Sequence, residues 1–356
     1  MSPGTVKIGS SLVKTWVVIP TLDGRERLLR ALASLERQTV PAEVVVVDNA
    51  SSDGTAEAVG AAQPQVRVVR NERNLGFGAA INRGALDLAG DVLVLVNNDV
   101  VCEPDFLERI LAPFADDRVA AVAGVLLQSA APELVDSAGI ELDTTLGSWD
   151  RGWNRPVAEL DGDPVGPCGG AAAYRLDVFH ELGGFDESLF AYWEDVDLAL
   201  RIRNAGYRCV LAADARALHE HGQTLGATSP AARRLEAFGR GYVLAKYRVT
   251  ARRPLLMAKV ALLDWPVLLV HLVLRREAGP LRARLRGRAA GLRAPAHRAP
   301  LELATVSFAT ALRRQLDGLR LRVSGGLPAH FTSAGPEHGE PEPTPDTRGT
   351  PGSDRA

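Results

Sequence analysis

Residues Val92–Val96 form an unbroken run of five apolar residues, three of them valines, between Gly90-Asp91 and Asn97. A strand made from such a run can turn neither face to water, so it needs packed layers on both sides. The flanking sequence supplies them. "TWVVIP" (Thr15 to Pro20), "AEVVVVDN", "VRVVR" and "DVLVLV" read as four strands. Between them lie helical patterns at Arg25 to Thr39, near Ala56 to Ala61, and at "FGAAINRGALDLAG"; in the first, Leu28, Leu29, Leu32 and Leu35 share one face. Strands alternating with helices predict an α/β fold built on a largely parallel sheet. Further along, "VAAVAGVLL" (Val119 to Leu127) reads as a strand. A helix follows from about Glu194 to Asn204, closed at Gly206, and then another strand.

The charge is unevenly placed along the 356 residues. Residues 1–230 carry 19 Lys+Arg against 33 Asp+Glu, net −14, whereas residues 231–330 carry 20 against 5, net +15. That asymmetry points to an anionic surface met by the basic part. Cys102, Cys168 and Cys209 are odd in number and widely spaced, with no Cys-x-x-Cys, which argues against a disulfide framework or structural zinc site and fits a reducing cytosol. Residues 1–14 lack the long apolar core of a signal peptide, so the catalytic part is expected on the cytoplasmic side. Beyond about Ser333 the chain is Pro, Gly, Ser, Thr and acid, with little to bury, and is expected to be disordered.

Polar residues cluster where strands end. In open α/β sheets ligands bind at the C-terminal edge of the strands. Asn97-Asn98-Asp99 follows Val96 there, although an Asn/Asp turn is the better reading of the triplet taken alone. "VVVVDNASSDGT" delivers Asp48 and Asn49 to the end of the second strand, with Ser51, Ser52 and Asp53 in a turn that could cap the next helix or accept bonds from a nucleoside. Gly76-x-Gly78 is not a dinucleotide fingerprint, because it follows the third strand and its third glycine is displaced to Gly84. Small residues there still permit close backbone approach. Glu194 and Asp195 open a helix; they serve either its dipole or a proton transfer from an acceptor hydroxyl. Asp197 and Arg201, at i and i+4, are expected to pair on the surface. His219 and His221 are compatible with a metal site without specifying one.

Taken in order, "VVIPTLDGRERLLRALASLERQT", "VVVVDNASSDGT", "NLGFGAAINRG", "VLVLVNNDV" and "GGFDESLFAYWEDVDLALRIRNAGY", with the downstream histidine, resemble glycosyltransferase family 2, in its rhamnosyltransferase-like actinobacterial branch. The resemblance covers about residues 15–230. It implies a GT-A (nucleotide-diphospho-sugar transferase, Rossmann-like) fold, an inverting reaction, a nucleotide-diphosphate sugar donor and a divalent metal, Mg²⁺ or Mn²⁺. It further implies nucleotide binding by Pro20, Thr21, Asp48, Asn49, Ser51, Asp53, Asn82, Asn97 and Asn98. Asp99 and His219 would be the metal ligands and Asp195 the catalytic base. Glu194, Trp193, Gly169 and Gly170 would lie on the acceptor side. The domains expected are an N-terminal tail (1–14), the GT-A domain (15–235), a helical, basic, membrane-associated region (236–330) and the disordered tail (331–356).

The chemistry agrees. A sugar diphosphate leaves poorly until a cation neutralises the charge growing on it, and one displacement aided by one base inverts the anomeric carbon. One departure stands out: Asn97 occupies the first carboxylate position of the family's D-x-D motif, which leaves one negative charge fewer, and looser metal affinity or an indirect contact through the ribose is expected. Two other classes remain open, a catalytically impaired nucleotide-sugar-binding or scaffold protein and a nucleotidyltransferase. The second would need a Gly-rich activating loop with Lys or Arg after the first strand, and "PTLDGRERL" lacks it.

In the basic region, residues 255–274 ("LLMAKVALLDWPVLLVHLVL") have the length of a membrane span. Their twelve Leu and Val contribute about −4 to −7 kcal/mol to insertion, against a cost of about +2.5 to +3.5 each for Lys259 and Asp264. The near-balance, with Pro266 and His271 adding cost, predicts interfacial attachment rather than spanning. Leu281, Leu285, Ala289 and Leu292 share one face of a following Arg-rich helix, as a helix lying on anionic lipid would require. The partners expected are therefore a nucleotide-sugar donor, a lipid-linked or glycan acceptor and the inner-membrane surface at its cytoplasmic face. Sparse aromatic interleaving argues against nucleic acid.

Overall fold

The fold is described from a computed structural model, covering residues 5–8, 11–220, 229–249, 251 and 253–324. His221 and the tail at 331–356 lie outside the described residues. Strand β1 (Thr5–Ile8) turns back on a long β2 (Ser11–Thr21), so part of the expected N-terminal tail is a hairpin extending the first strand. The alternating half continues through α1 (Arg25–Glu36), β3 (Glu43–Asp48), α2 (Thr55–Ala62), β4 (Arg67–Arg70), α3 (Phe77–Ala85) and β5 (Val92–Val96). Then come β6 (Val100–Cys102), α4 (Phe106–Leu111), β7 (Val119–Gln128), β8 (Ala131–Ser137), β9 (Ile140–Leu142) and β10 (Ser148–Asp150). β11 (Ala171–Arg175), α5 (Leu176–Glu181), α6 (Glu194–Asn204) and β12 (Arg208–His219) follow, and four helices close the chain: α7 (Pro230–Lys246), α8 (Pro254–Leu269), α9 (Gly279–Arg293) and α10 (Phe308–Ser324).

The main sheet runs β4-β3-β2-β5-β11-β7-β12-β6. Its first four strands are parallel, as the alternation requires. β11 enters antiparallel between β5 and β7, so the second half is mixed. All five residues of β5 are buried, with the faces covered as their composition demands. One core layer includes Leu28, Leu32 and Leu35 of α1 against Val17, Ile19 and Val94, and the other includes Ile81 of α3 against Val18, Val47 and Leu95. α3 lies close on the sheet at Gly84, where a methyl would come within 2.6 Å of Val47 Cγ2. The three cysteines are buried and unpaired, and burial pushes each thiol up to about 12, so none is a nucleophile near neutral pH.

The basic helices share a core with the α/β half. Val196 and Leu200 of α6 pack with Tyr242, Val243 and Tyr247, and the expected boundary at 235/236 falls inside α7. α7 and α9 cross closely at Gly241, Gly287 and Gly291, where added methyls would strike the backbones of Arg284, Phe238 and Tyr242. The expected surface pair Asp197–Arg201 is instead buried, at 2.8 Å. The reason is that α6 has no free side there. Arg201 also donates to the carbonyls of Leu182 and Gly184, while Asp197 receives Lys246 Nζ at 2.7 Å and the Tyr247 hydroxyl at 3.2 Å.

α8 and the π-helical turn after it (Val270–Leu274) make one segment of 21 residues, long and apolar enough to cross a membrane by length and composition. Its polar residues face inward. Asp264 pairs with Arg240 and Arg284, Lys259 lies 5.1 Å from the Phe308 ring centroid, and His271 is buried. Leu255, Met257, Leu262, Trp265, Leu269 and Val273 face outward, each half-exposed or more.

Candidate active site

The C-terminal ends of β2, β3 and β5 meet in one crevice. Thr21 stands in register with Asp48, and Asn98 Nδ2 donates to Thr21 Oγ1 at 2.9 Å. Pro20 precedes Thr21 in β2 and pairs with Val47. Asp48 is 1% exposed; its Oδ1 accepts from Ser51 N–H, and its Oδ2 makes no hydrogen bond and lies 3.6 Å from Arg70 Nε. Asp48 Oδ2 thus keeps acceptor capacity beside the Arg70 guanidinium. Ser51 Oγ accepts from Asp23 N–H. Asp53 accepts from the N–H and hydroxyl of Thr55 and from Arg25 N–H, which ties the starts of α1 and α2 together.

Two of the expected nucleotide residues have their amides engaged within the protein. Asn49 donates to Gly76 O and accepts from Asn71 Nδ2 and Leu75 N–H. Asn82 donates to Phe185 O and Glu187, and accepts from Phe185 N–H. Asn49 ties the "NLGFG" segment to the end of β3, and Asn82 ties α3 to the loop before α6. Gly76, at φ 89°, lies so close to the Phe190 carbonyl that no side chain would fit, and Phe77 N–H donates to that carbonyl at 2.7 Å.

Asn97 N–H donates to Gly170 O, which sets the "CGG" loop beside the crevice; Asn97 Oδ1 is buried without a hydrogen bond. Asp99 is 8% exposed, and its Oδ1 likewise makes no hydrogen bond. His219, at the end of β12, brings Nε2 to 3.4 Å from that oxygen, while its Nδ1 lies 2.5 Å from Asp136 Oδ2. Burial alone would lower the His219 imidazole, but the Asp136 and Asp99 carboxylates override it and hold it at about 10. The proton that the charged imidazole holds on Nε2 faces the Asp99 oxygen, and a divalent cation displacing that proton would find a carboxylate oxygen and an imidazole nitrogen as donors. Two protein donors leave the other positions to phosphate oxygens and water, as Mg²⁺ prefers. Among the described residues no cluster of three His, Cys, Asp or Glu at ligand spacing occurs.

Tyr192 and Trp193 both take left-handed backbone, at φ 65° and 74°, immediately before Glu194 and Asp195. Such conformations cost about 1–3 kcal/mol each in non-glycine residues and persist only where the surroundings enforce them. α7 does the enforcing: Gly239 makes room for the Trp193 ring (a methyl there would lie 2.7 Å from Cγ), and Trp193 Nε1 donates to Glu236. Gly169 packs on the Phe77 ring and its backbone N–H faces Asp195. Burial raises the Asp195 carboxyl to about 6, with the charge of Asp150 adding to it and the Val196 amide opposing. Glu194, buried beside Asp195, is pushed well above the carboxylate range and has a free Oε2. Of the two, Asp195 is the one held near neutral, which suits it to act as a base.

Sequence reading missed several residues at the site. Asp136 lies in β8, outside every motif. Arg27, on α1, has a buried Nε without a hydrogen bond and makes no ion pair; its Nη2 would lie 3.4 Å from a Cβ at Gly24, beside Asn98. Glu236, Gly239 and Lys246 belong to α7, where basic composition masked their role. Arg27 alone had a signal, its place in the first turn of a helix starting at the crevice.

Comparison with known proteins supplies independent findings. The family description Glycosyl transferase family 2 matches residues 16–183. The chain is 31% identical over 236 residues to an N-acetylglucosaminyl-diphospho-decaprenol L-rhamnosyltransferase of Mycobacterium tuberculosis, covering 59% of this chain and 77% of that protein. It is 27% identical over 214 residues to the O-antigen chain rhamnosyltransferase WbaN of Salmonella anatum, covering 58% and 66%. The fold resembles that of a mannosyltransferase from Pyrobaculum calidifontis solved with GDP-Man and Mn²⁺, with a TM-score of 0.54 at 20% identity over 91% of this chain and 90% of that one.

Proposed function

The chain belongs to glycosyltransferase family 2 and has the GT-A fold, and from that premise we propose that it is an inverting transferase moving rhamnose from a nucleotide-diphosphate donor to a lipid-linked or glycan acceptor of the cell envelope. The observation that carries the reading is that the strand-end groups, Asp48–Thr21–Asn98 and Asp99–His219, are tied to Asp195 through the Gly169-Gly170 loop, whose Gly170 carbonyl accepts from Asn97 N–H and whose Gly169 N–H faces the Asp195 carboxyl.

Asp48, Thr21 and Ser51 line the nucleoside end, and Arg27 supplies a cation for the diphosphate. Asp99 and His219 would hold a divalent cation, whose chemistry is to offset the charge of the departing nucleotide. Asp195 takes the proton of the acceptor hydroxyl as its oxygen attacks the anomeric carbon from the face opposite the leaving group. Glu194 and the glycine loop orient the acceptor, and Trp193 walls it. The scaffold alternative is disfavoured because a non-catalytic protein has no need to hold two left-handed residues before an ionised carboxylate.

We place the enzyme at the cytoplasmic face of the membrane, attached in the plane of the interface. Spanning would tear Asp264 from Arg240 and Arg284, whereas shallow insertion needs only the outward face of α8, with Trp265 at its middle. The functional test is a panel of nucleotide sugars offered to purified protein with Mg²⁺ or Mn²⁺. Preferential consumption of a nucleotide-rhamnose is expected. Consumption of none of them, with a polyprenyl-linked acceptor present, would overturn the reading.

A further inference from the structure

His219 is gripped from behind. Asp136, next to last in β8, is 2% exposed and puts Oδ2 2.5 Å from His219 Nδ1. The sheet forces them together: the far end of β7 is flanked by β8 on one side and by β12 on the other, with Leu126 facing Ser137 and Ala217, and Gln128 facing His219. The other ring nitrogen, Nε2, is the one turned to Asp99.

A buried carboxylate is costly to keep in an interior unless a partner needs its charge, and a backbone carbonyl would satisfy a neutral N–H at less cost. A carboxylate behind an imidazole does more. It fixes which nitrogen carries the proton, locks the ring and makes the opposite nitrogen a better electron donor. We infer that Asp136 is a positioning residue that keeps the His219 proton on Nδ1 while the divalent cation displaces the Nε2 proton and meets the Nε2 lone pair together with Asp99. This rests on the metal-binding part of the proposed function. It also explains how a site that lost one carboxylate at Asn97 keeps a competent donor set, since the charge behind His219 strengthens a ligand rather than adding one.

The test combines two readouts on the full chain. In ¹⁵N-histidine NMR of the wild-type protein with Mg²⁺ and a nucleoside diphosphate, His219 should carry its proton on Nδ1 and none on Nε2. A proton on Nε2 overturns the inference without any substitution. In Mn²⁺ titrations followed by electron paramagnetic resonance, Asp136→Ala should bind Mn²⁺ about 10–100-fold more weakly. Asp136→Asn, nearly isosteric and still an acceptor, should fall between it and wild type, and both should bind nucleoside diphosphate without metal as wild type does. Unchanged Mn²⁺ affinity in both variants overturns the positioning role if Asp99→Ala is weakened in the same assay. If Asp99→Ala is unchanged as well, the metal reading fails and the inference falls with it.

Discussion

Lys246 is the buried cation that joins the basic helices to the catalytic helix, and Lys246→Met tests that junction. Its Nζ lies 2.7 Å from both Asp186 Oδ2 and Asp197 Oδ1, and its side chain is 5% exposed. Burial alone would raise the Asp186 carboxyl, but hydrogen bonds from Lys246 and Tyr242 hold it down at about 2, against an ordinary 3.8. That depression corresponds to about 2 kcal/mol at pH 7. It is present above pH 3.8 and lost as pH falls through about 2. Breaking a buried ion pair by removing one partner costs about 3–5 kcal/mol. Asp197 keeps Arg201 as a second partner, so the lower end, about 3 kcal/mol, is expected. For a chain of this size that lowers Tm by about 4 °C. Urea unfolding and thermal melts would measure it. Adding Asp186→Asn should recover part of the loss, because one stranded charge disappears. A loss below about 1 kcal/mol, or strict additivity in the double variant, would refute the account of the junction.

Activity should rise with pH through about 6 and level off above 7, because Asp195 works as the carboxylate; a bell centred below pH 5 in a kcat profile would contradict this. Arg27→Gln should weaken donor binding about 10–100-fold, since charged hydrogen bonds to phosphate are worth about 1.5–3 kcal/mol. It should leave free nucleoside binding alone, as competition assays with nucleoside and nucleoside diphosphate would show. Membrane-bound protein should be released in part by high salt or carbonate, and Trp265→Ser with Leu262→Ser should increase that release in a vesicle-flotation assay; release by detergent alone would mean that α8 spans.

The alternating half could be read from the sequence because local pattern and long-range packing agree there. The Val92–Val96 run is buried on both faces, and the leucines of α1 face the sheet. The mixed half was harder, since an antiparallel β11 inserted between β5 and β7 leaves no trace in periodicity. Strand ends drew attention to Asp48, Asp99 and His219, yet sequence could not distinguish the orphaned oxygen of Asp99 from the fully engaged amide of Asn49. Asp197–Arg201 looked like an ordinary surface pair because helical spacing carries no information about what packs outside the helix. Asp136 and Lys246 act over separations of 83 and 60 residues, and only the folded chain brings them to His219 and Asp186.

The division of labour between donor binding and proton transfer is tested most directly in Asp195→Asn. Donor affinity, by titration calorimetry with a nucleotide-rhamnose, and single-turnover transfer to a polyprenyl-linked acceptor should be measured on the same preparation. Transfer is expected to fall by at least about 10²–10⁴-fold with donor affinity nearly unchanged, because the base acts only as the acceptor oxygen attacks. Near-normal transfer by this variant would remove Asp195 from the mechanism and contradict the central claim.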